Sequence, residues 1–402
     1  MTPWLAIVGI GDDGLAGLAP AARTLVETAE VLVGGARHLA MAPDAAAERL
    51  AWSQPFADSI AAIAARRGRR VVVLASGDPM WFGAGAVLAR HFAREETIVV
   101  PHPGAFSLAA ARLGWPLAGC ACLSLHGRPL DALRLHLAEG WRMLILSEDG
   151  ATPRAVAQLL VEAGWGPSRL TVLEHLGGPA EAAHSAAAQD WGERIAADLN
   201  TIALECCAMP GVRGYPRLAG LPDEAFAHDG QLTKREIRAA TLAALAPLPG
   251  ESLWDVGAGC GSIAIEWLRA GDNLAAVAIE RDPARAATIA RNAAMLGVPA
   301  LQVVVGAAPN ALQALAPPDA IFVGGGIADP ALLPRLWRAL RPGGRLVANV
   351  VSLEGELVLL DAQARHGGSL VRLAVSRAEA LGGHRVWRPL IAVTQWAATK
   401  PA

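Results

Sequence analysis

Five residues between Asp255 and Glu280 carry the densest chemistry in this chain: Asp255, Gly257, Gly259, Gly261 and Glu280. The run Leu253-Trp254-Asp255-Val256-Gly257-Ala258-Gly259-Cys260-Gly261 reads as a buried strand ending in closely spaced glycines, with a helical stretch over Ser262–Ala270 behind it. Glycines let backbone amides come close to a ligand, and the helix N-terminus opens beside them. Glu280 closes the next apolar strand, where an acid can accept hydrogen bonds from a ribose diol. The pattern therefore predicts a nucleoside-cofactor site. A pyrophosphate site wants Gly-x-Gly-x-x-Gly, but here the third glycine arrives one residue early and Asp255 sits two residues before the first. A carboxylate there would repel a pyrophosphate and would suit a ligand bearing an ammonium and a sulfonium. On spacing alone, a dinucleotide site and an ordinary Gly-rich turn stay open as alternatives.

A second set of candidates lies in the first half. Strand Leu5–Ile10 runs into Gly9-Ile10-Gly11-Asp12-Asp13-Gly14. Then come Ser76-Gly77-Asp78-Pro79, Pro101-His102-Pro103-Gly104 and Ser124-Leu125-His126-Gly127-Arg128. Each is a strand followed at once by a Gly, Pro or Asp turn, so several strand ends could converge on one cleft at a sheet's carboxyl edge. Such turns also occur merely to connect strands.

The elements that must position these residues alternate along the whole chain. Strands are predicted at Leu5–Ile10, Val31–Val33, Val71–Ala75, Thr97–Val100, Met143–Leu146 and Thr201–Cys206. A Gly-, Pro- and Arg-rich break over 207–225 reads as a linker between domains 1–206 and 226–402. A helix over Thr233–Leu245 opens the second half, with Thr233 and Glu236 spaced as a capping box. Strands follow at Ser252–Val256, Ala275–Ile279, Gln302–Val305, Ala320–Val323, Arg345–Val350, Ser369–Ser376 and Leu390–Thr394. Ala180–Ala188 reads as helix or loop. Alternating strands and helices predict an α/β protein with mainly parallel sheets.

Composition narrows the function classes. At 402 residues, 53% hydrophobic and 18% charged, the chain has material for two well-packed domains. A net charge of −2 argues against a nucleic-acid partner. No apolar run suits a membrane span or a signal peptide, which predicts a cytoplasmic protein. Its five cysteines lack Cys-x-x-Cys spacing, so reduced thiols are expected, with no metal centre.

The Asp255–Gly261 pattern resembles that of the S-adenosylmethionine-dependent methyltransferases with a Rossmann-like class I fold. The first-half loops together resemble the tetrapyrrole methylase family over roughly residues 4–205. In that family they enclose S-adenosylmethionine between two α/β lobes, which assigns cofactor contacts to Gly9, Gly11, Gly77, Asp78, Pro79, Pro103 and Gly104. The usual Gly-x-Gly-Pro-Gly becomes Gly9-Ile10-Gly11-Asp12-Asp13-Gly14 here, a departure in the first loop.

The second half is matched more narrowly by Leu232–Arg238, Val305–Pro309, Phe322–Gly326, Leu340–Arg345 and Asn349–Glu354. Together these resemble the cobalamin-pathway methyltransferases that methylate ring carbon 15 of a precorrin and decarboxylate the acetate on carbon 12. The first half is similar to their carbon-5 partner, so the resemblance implies both activities in one chain. It implies one S-adenosylmethionine per domain. In the second, Thr233, Asp255, Gly257, Ala258, Gly259, Cys260, Gly261, Glu280, Gly306 and Ala308 would contact it. Glu354 is the candidate acid near the second ring site, with Asn349 positioning. Arg213, Arg217, Arg377, His384 and Arg385 are candidates for binding substrate carboxylates. A homo-oligomer is implied too, built as a tetramer through the second domain. The alternative is a tRNA or protein methyltransferase carrying a tetrapyrrole-binding module.

Overall fold

The computed structural model describes residues 3–42 and 47–402. The chain forms two compact units. One runs to Leu130 and resumes over Ala138–Arg213; the other takes Asp131–Leu137 and Gly214–Ala402.

The first unit holds two five-stranded sheets. Strands β1 (Leu5–Ile10), β2 (Val31–Gly34), β3 (Glu48–Ala51), β4 (Val71–Ser76) and β5 (Thr97–Val100) pair in parallel in the order β3-β2-β4-β1-β5. The Leu, Ile and Val runs of β1 and β2 are buried at every position. Parallel strands covered on both faces need such unbroken apolar runs, and each fully buried Val, Leu or Ile contributes roughly 1.5–3 kcal/mol over exposure. The register places Ile10 beside Ser76 and Val8 beside Val100, so the turns after β1, β4 and β5 leave the same edge. The second sheet is mixed: β6 (Cys120–Ser124), β7 (Arg142–Leu146), β8 (Arg169–Glu174), β9 (Ala182–Ala187) and β10 (Asn200–Glu205) take the order β6-β7-β10-β8-β9.

In the second unit, β11 (Ser252–Val256), β12 (Ala275–Glu280), β13 (Gln302–Val305), β14 (Ala320–Val323), β15 (Arg345–Val350), β16 (Ser369–Leu373) and β19 (Val393–Thr399) form one sheet. Its order is β13-β12-β11-β14-β15-β19-β16, parallel except where β19 pairs with β15 and β16. The chain starts in the middle, winds to one edge, then returns to the other side of β11. Ligands bind at the carboxyl ends of strands at such a switch point, here between β11 and β14. Strands β17 (Ser376–Leu381) and β18 (His384–Pro389) make a separate two-stranded hairpin.

Four sequence expectations change. Ala182–Ala187 is a strand, because β8 supplies an antiparallel partner and Thr171 bonds Ser185 across the pair at 2.7 Å. Expected strand Ser369–Ser376 breaks after Leu373, and Ser376 begins the hairpin. Leu390–Thr394 straddles the gap between β18 and β19. Helix Arg235–Leu245 begins one residue later than the capping box requires, with Lys234 at its N-cap and no side-chain cap, so Thr233 and Glu236 fall out of capping-box register and Glu236 pairs with Arg377 at 2.7 Å.

Part of the segment read as a linker is packed structure. Leu221 and Phe226 are buried against Leu242, Leu245 and Trp267. Glu266, on helix Ser262–Ala270, accepts from the Gly220 and Leu221 amides at 2.6 and 2.9 Å. It also accepts from Arg238 at 2.6 Å, forming an ion pair with both partners almost fully buried. Removing one partner of such a pair costs about 3–5 kcal/mol, because the other charge is left buried alone.

Candidate functional site

At the switch point of the second unit, β11 delivers Asp255 into the core and then turns through Gly257, Gly259 and Gly261, at φ 72, 61 and 82°. A Cβ at Gly257 would lie 3.0 Å from the Gly325 amide nitrogen, and one at Gly261 2.7 Å from Ile289. Gly259 has more room, with the Gln231 carbonyl its nearest neighbour at 3.7 Å. Thr233, half-buried, follows two residues after that carbonyl. Glu280, at the end of β12, is buried and reaches across the turn: Oε2 accepts from the Gly259 amide at 2.8 Å and Oε1 from Asp282 at 3.0 Å. The Gly306 amide donates to the Glu280 carbonyl at 2.9 Å, which puts the Gly306–Ala308 turn alongside. Cys260 is buried, and burial pushes its thiol up, away from the thiolate a nucleophile needs.

Asp255 is the member with an unmet hydrogen bond. Its Oδ2 accepts from the Ala264 amide at 3.0 Å, while Oδ1 is buried without a hydrogen-bond partner. Burial pushes its pKa up to about 7 from 3.8; the Ala264 amide opposes this and the Glu280 charge adds to it. An orphaned, buried carboxyl oxygen two residues before the glycine turn fits a cationic ligand group, which would offset the cost of burial and the repulsion from Glu280. The sign of the linkage follows. Between pH 3.8 and about 7 the folded protein holds this proton and the unfolded chain does not. Its contribution to ligand-free stability is therefore complete below that window and lost as pH rises through it, by at most about 1.4 kcal/mol per pH unit. Thermal melts across the window should show this decline, and Asp255→Asn should flatten it; a wild-type slope in the variant would refute it.

The first unit builds its cradle from three turns that touch backbone to backbone. A Cβ on Gly9 would lie 2.7 Å from the His102 amide and closer still to the Gly77 carbonyl. One on Gly77, at φ 56°, would lie 2.6 Å from Gly104 Cα. A cavity opens beside them, lined by Gly11, Gly77 and Pro103 on one side and by Leu173, Asn200 and Thr201 on the other. Asp78 does not face a ligand through both oxygens: its Oδ1 accepts from the Met80 amide at 2.9 Å and shapes the turn through Pro79.

Two family descriptions match the chain: Tetrapyrrole (Corrin/Porphyrin) Methylases over residues 5–190, and Precorrin methyltransferase domain over residues 224–400. The chain is 51% identical over 401 residues to a precorrin-6Y C(5,15)-methyltransferase [decarboxylating] of Sinorhizobium sp., covering 100% of this chain and 97% of that one. The chain belongs to this family. The Mycobacterium tuberculosis (strain CDC 1551 / Oshkosh) member is 44% identical over 98% of this chain and 100% of its own. A solved C-terminal domain of precorrin-6Y C5,15-methyltransferase from Rhodobacter capsulatus is 46% identical, covering 46% of this chain and all of that domain, with a TM-score of 0.44.

In this precorrin-6Y C5,15-methyltransferase family member, the residues read as a carboxylate-binding rim divide in two. Arg213, His384 and Arg385 are exposed, and among the described residues none has an ion-pair partner. Arg217 and Arg377 are committed elsewhere: Arg217 to the Arg269 carbonyl at 3.0 Å and Asp272 at 2.7 Å, Arg377 to Asp223 at 3.0 Å and Glu236 at 2.7 Å. Both hold structure that an incoming carboxylate would have to displace. Asn349 likewise bonds Thr241 at 2.8 Å and Gln395 at 2.9 Å, which ties β15 to helix Arg235–Leu245 and β19. Glu354 is exposed on the first turn of helix Leu353–His366, which Ser352 caps.

The sequence reading missed a polar cluster at the first cradle. Asp12 accepts from Arg37 at 2.9 Å and lies 3.0 Å from His175 Nδ1; Ser76 Oγ lies 2.9 Å from His38 Nε2. Burial, aided by the Arg37 charge, pushes His38 down to about 4, so its ring is neutral. The departure in the first glycine loop was the available signal, because that departure is what supplies Asp12.

Proposed function

We infer that this chain methylates a precorrin at ring carbons 5 and 15 and removes the carboxyl of the acetate on carbon 12, in cobalamin biosynthesis, with S-adenosylmethionine as donor. The observation that carries the reading is that full-length likeness to the family coincides with two separate glycine cradles, one in each unit. The domain over 1–206 takes carbon 5 and the domain over 226–402 takes carbon 15 and the carboxyl, with 207–225 joining them. When bound, the donor supplies a methyl group on a sulfonium. Every other requirement falls on the chain, which must hold ring carbon and methyl in line in a dry cleft.

In the second unit Glu280 is the acceptor for the ribose diol, and the free Asp255 oxygen takes the cationic end. Gly257–Gly261 admit the backbone contact, Gly306 and Ala308 line the adenine, and Thr233 closes over the turn. In the first unit Gly9, Gly11, Gly77, Asp78, Pro79, Pro103 and Gly104 play the corresponding part. The reduced macrocycle is its own nucleophile and its own electron sink, so neither step demands a strong side-chain base. Glu354, whose carboxyl has no partner among the described residues, is the group assigned to proton donation during decarboxylation. Arg213, His384 and Arg385 remain free to bind peripheral carboxylates.

The exposed apolar row Leu353, Leu357 and Leu360 supports self-association of the second unit, up to a tetramer. All five cysteines are free, which supports a cytoplasmic location. No helix among the described residues is long and apolar enough to cross a membrane.

Purified full-length protein, given S-adenosylmethionine and a reduced precorrin, is expected to add two methyl groups and release one carboxyl by mass. Equilibrium dialysis should find two donor molecules bound per chain. One donor per chain, or methylation with the carboxyl retained, would overturn the assignment.

A further inference from the structure

The turn that leaves the Gly77–Pro79 loop exposes three large apolar residues in a row: Met80, Trp81 and Phe82, at 47, 47 and 42%. Phe82 also adopts φ 56°, a conformation unfavourable for a bulky residue. A surface that keeps aromatic rings in water on a strained backbone gains nothing for folding. The rings are nonetheless ordered against each other. Trp81 and Phe82 pack on Phe106 at 5.6 and 6.1 Å between centroids, and the Arg128 guanidinium lies 4.7 Å over the Phe82 ring. Arg128 is exposed, and among the described residues its guanidinium meets no carboxylate.

The position matters as much as the composition. Trp81 and Phe82 follow the second turn of the first cradle, and Phe106 opens the helix Ala105–Leu113 that follows the third, where Gly77 meets Gly104. Gly77, Pro103 and Ala105 line the cavity there. We propose that Trp81 and Phe82, backed by the buried Phe106 and with Arg128 laid over Phe82, form the platform on which the macrocycle docks for the carbon-5 reaction. The rings meet its flat face and the guanidinium takes a peripheral carboxylate. This rests on the carbon-5 assignment to the first unit. A conjugated disc fringed with carboxylates matches both halves of the platform. Aromatic faces stack on any flat π-system, and a guanidinium whose only partner is a ring keeps its fork of donors for an anion.

The test uses full-length protein and two readouts. Trp81→Ala and Arg128→Ala are each expected to raise KM for carbon-5 methylation on the order of tenfold, with donor binding and carbon-15 methylation at wild-type values. Arg128→Lys, which keeps charge without the planar fork, should recover part of the loss. Titration with a synthetic octacarboxylate porphyrin should show the same weakening, and its octa-ester should bind equally to wild type and Arg128→Ala. An unchanged carbon-5 KM and an unchanged porphyrin titration in both alanine variants would overturn the platform. Wild-type protein that never methylates carbon 5 would instead overturn the functional assignment, and the porphyrin titration would still decide whether the platform binds a flat polyanion.

Discussion

Gly77→Val is expected to abolish methylation at carbon 5 and leave carbon 15 untouched. At φ 56° the backbone already sits where L side chains are strained, and the new Cβ would meet Gly104 Cα at 2.6 Å. That neighbour is main chain, so no rotamer change can clear it. The turns after β4 and β5 must separate, and the cavity lined by Gly77 and Pro103 changes shape with them. Displacing a bound donor by about 1 Å costs on the order of 10²-fold in rate, and a displaced turn costs donor affinity as well. Product mass should show one methyl gained instead of two, with the carboxyl still lost. Dialysis should count one donor per chain where the wild type binds two. Carbon-5 turnover within a few-fold of wild type would mean that this cradle is not where the first methyl is handled.

The contrast between the two units shows what a sequence can disclose. Burial on both faces of a parallel sheet demands uninterrupted Leu, Ile and Val, so β1, β4, β11, β12 and β14 were readable to within a residue or so. The close approach of Gly9, Gly77 and Gly104 was legible in a weaker way. Residue types announced tight turns, but only the parallel register of β1, β4 and β5 brings those turns to one edge. Ala182–Ala187 was not legible, because alanine's local preference yields to an available edge of β8. The split between β16 and β17 was hidden for a similar reason: nothing local says that Ser376 leaves the sheet to pair with Pro389.

Candidate side chains follow the same division. Asp255 and Glu280 lie at the ends of β11 and β12, so their positions in the fold could be read from the strand pattern. Arg217, Arg377 and Asn349 looked available because sequence does not reveal that Asp272, Asp223 and Thr241 claim them. Asp12, the adjacent pair Arg37 and His38 on helix Ala36–Ala40, and His175 come together from three segments more than twenty residues apart, and no spacing rule connects them. The linker lost its distinctness for a physical reason as well. A buried Glu266 recruits the Gly220 and Leu221 amides, and that anchor leads the chain into the segment that crosses Gly259.

Glu280→Ala should remove the second activity as cleanly as Gly77→Val removes the first. The wild-type carboxylate accepts from the Gly259 and Asp282 amides, so truncation leaves both donors without their partner and takes away the diol acceptor. Charge-assisted hydrogen bonds contribute about 1.5–3 kcal/mol each. Donor affinity in the second unit should therefore fall on the order of 10²-fold, with carbon-5 methylation intact. Glu280→Gln separates shape from charge. It keeps an acceptor for one amide but removes the negative charge that helps raise Asp255. The Asp255 carboxyl should then ionise at lower pH, and the pH window over which the ligand-free protein loses stability should contract from its upper end. Calorimetry of donor binding paired with melts at several pH values reads both effects. If Glu280→Gln leaves that window where the wild type has it, the two carboxylates are not coupled through this turn, and the cationic end of the donor must be held by other groups.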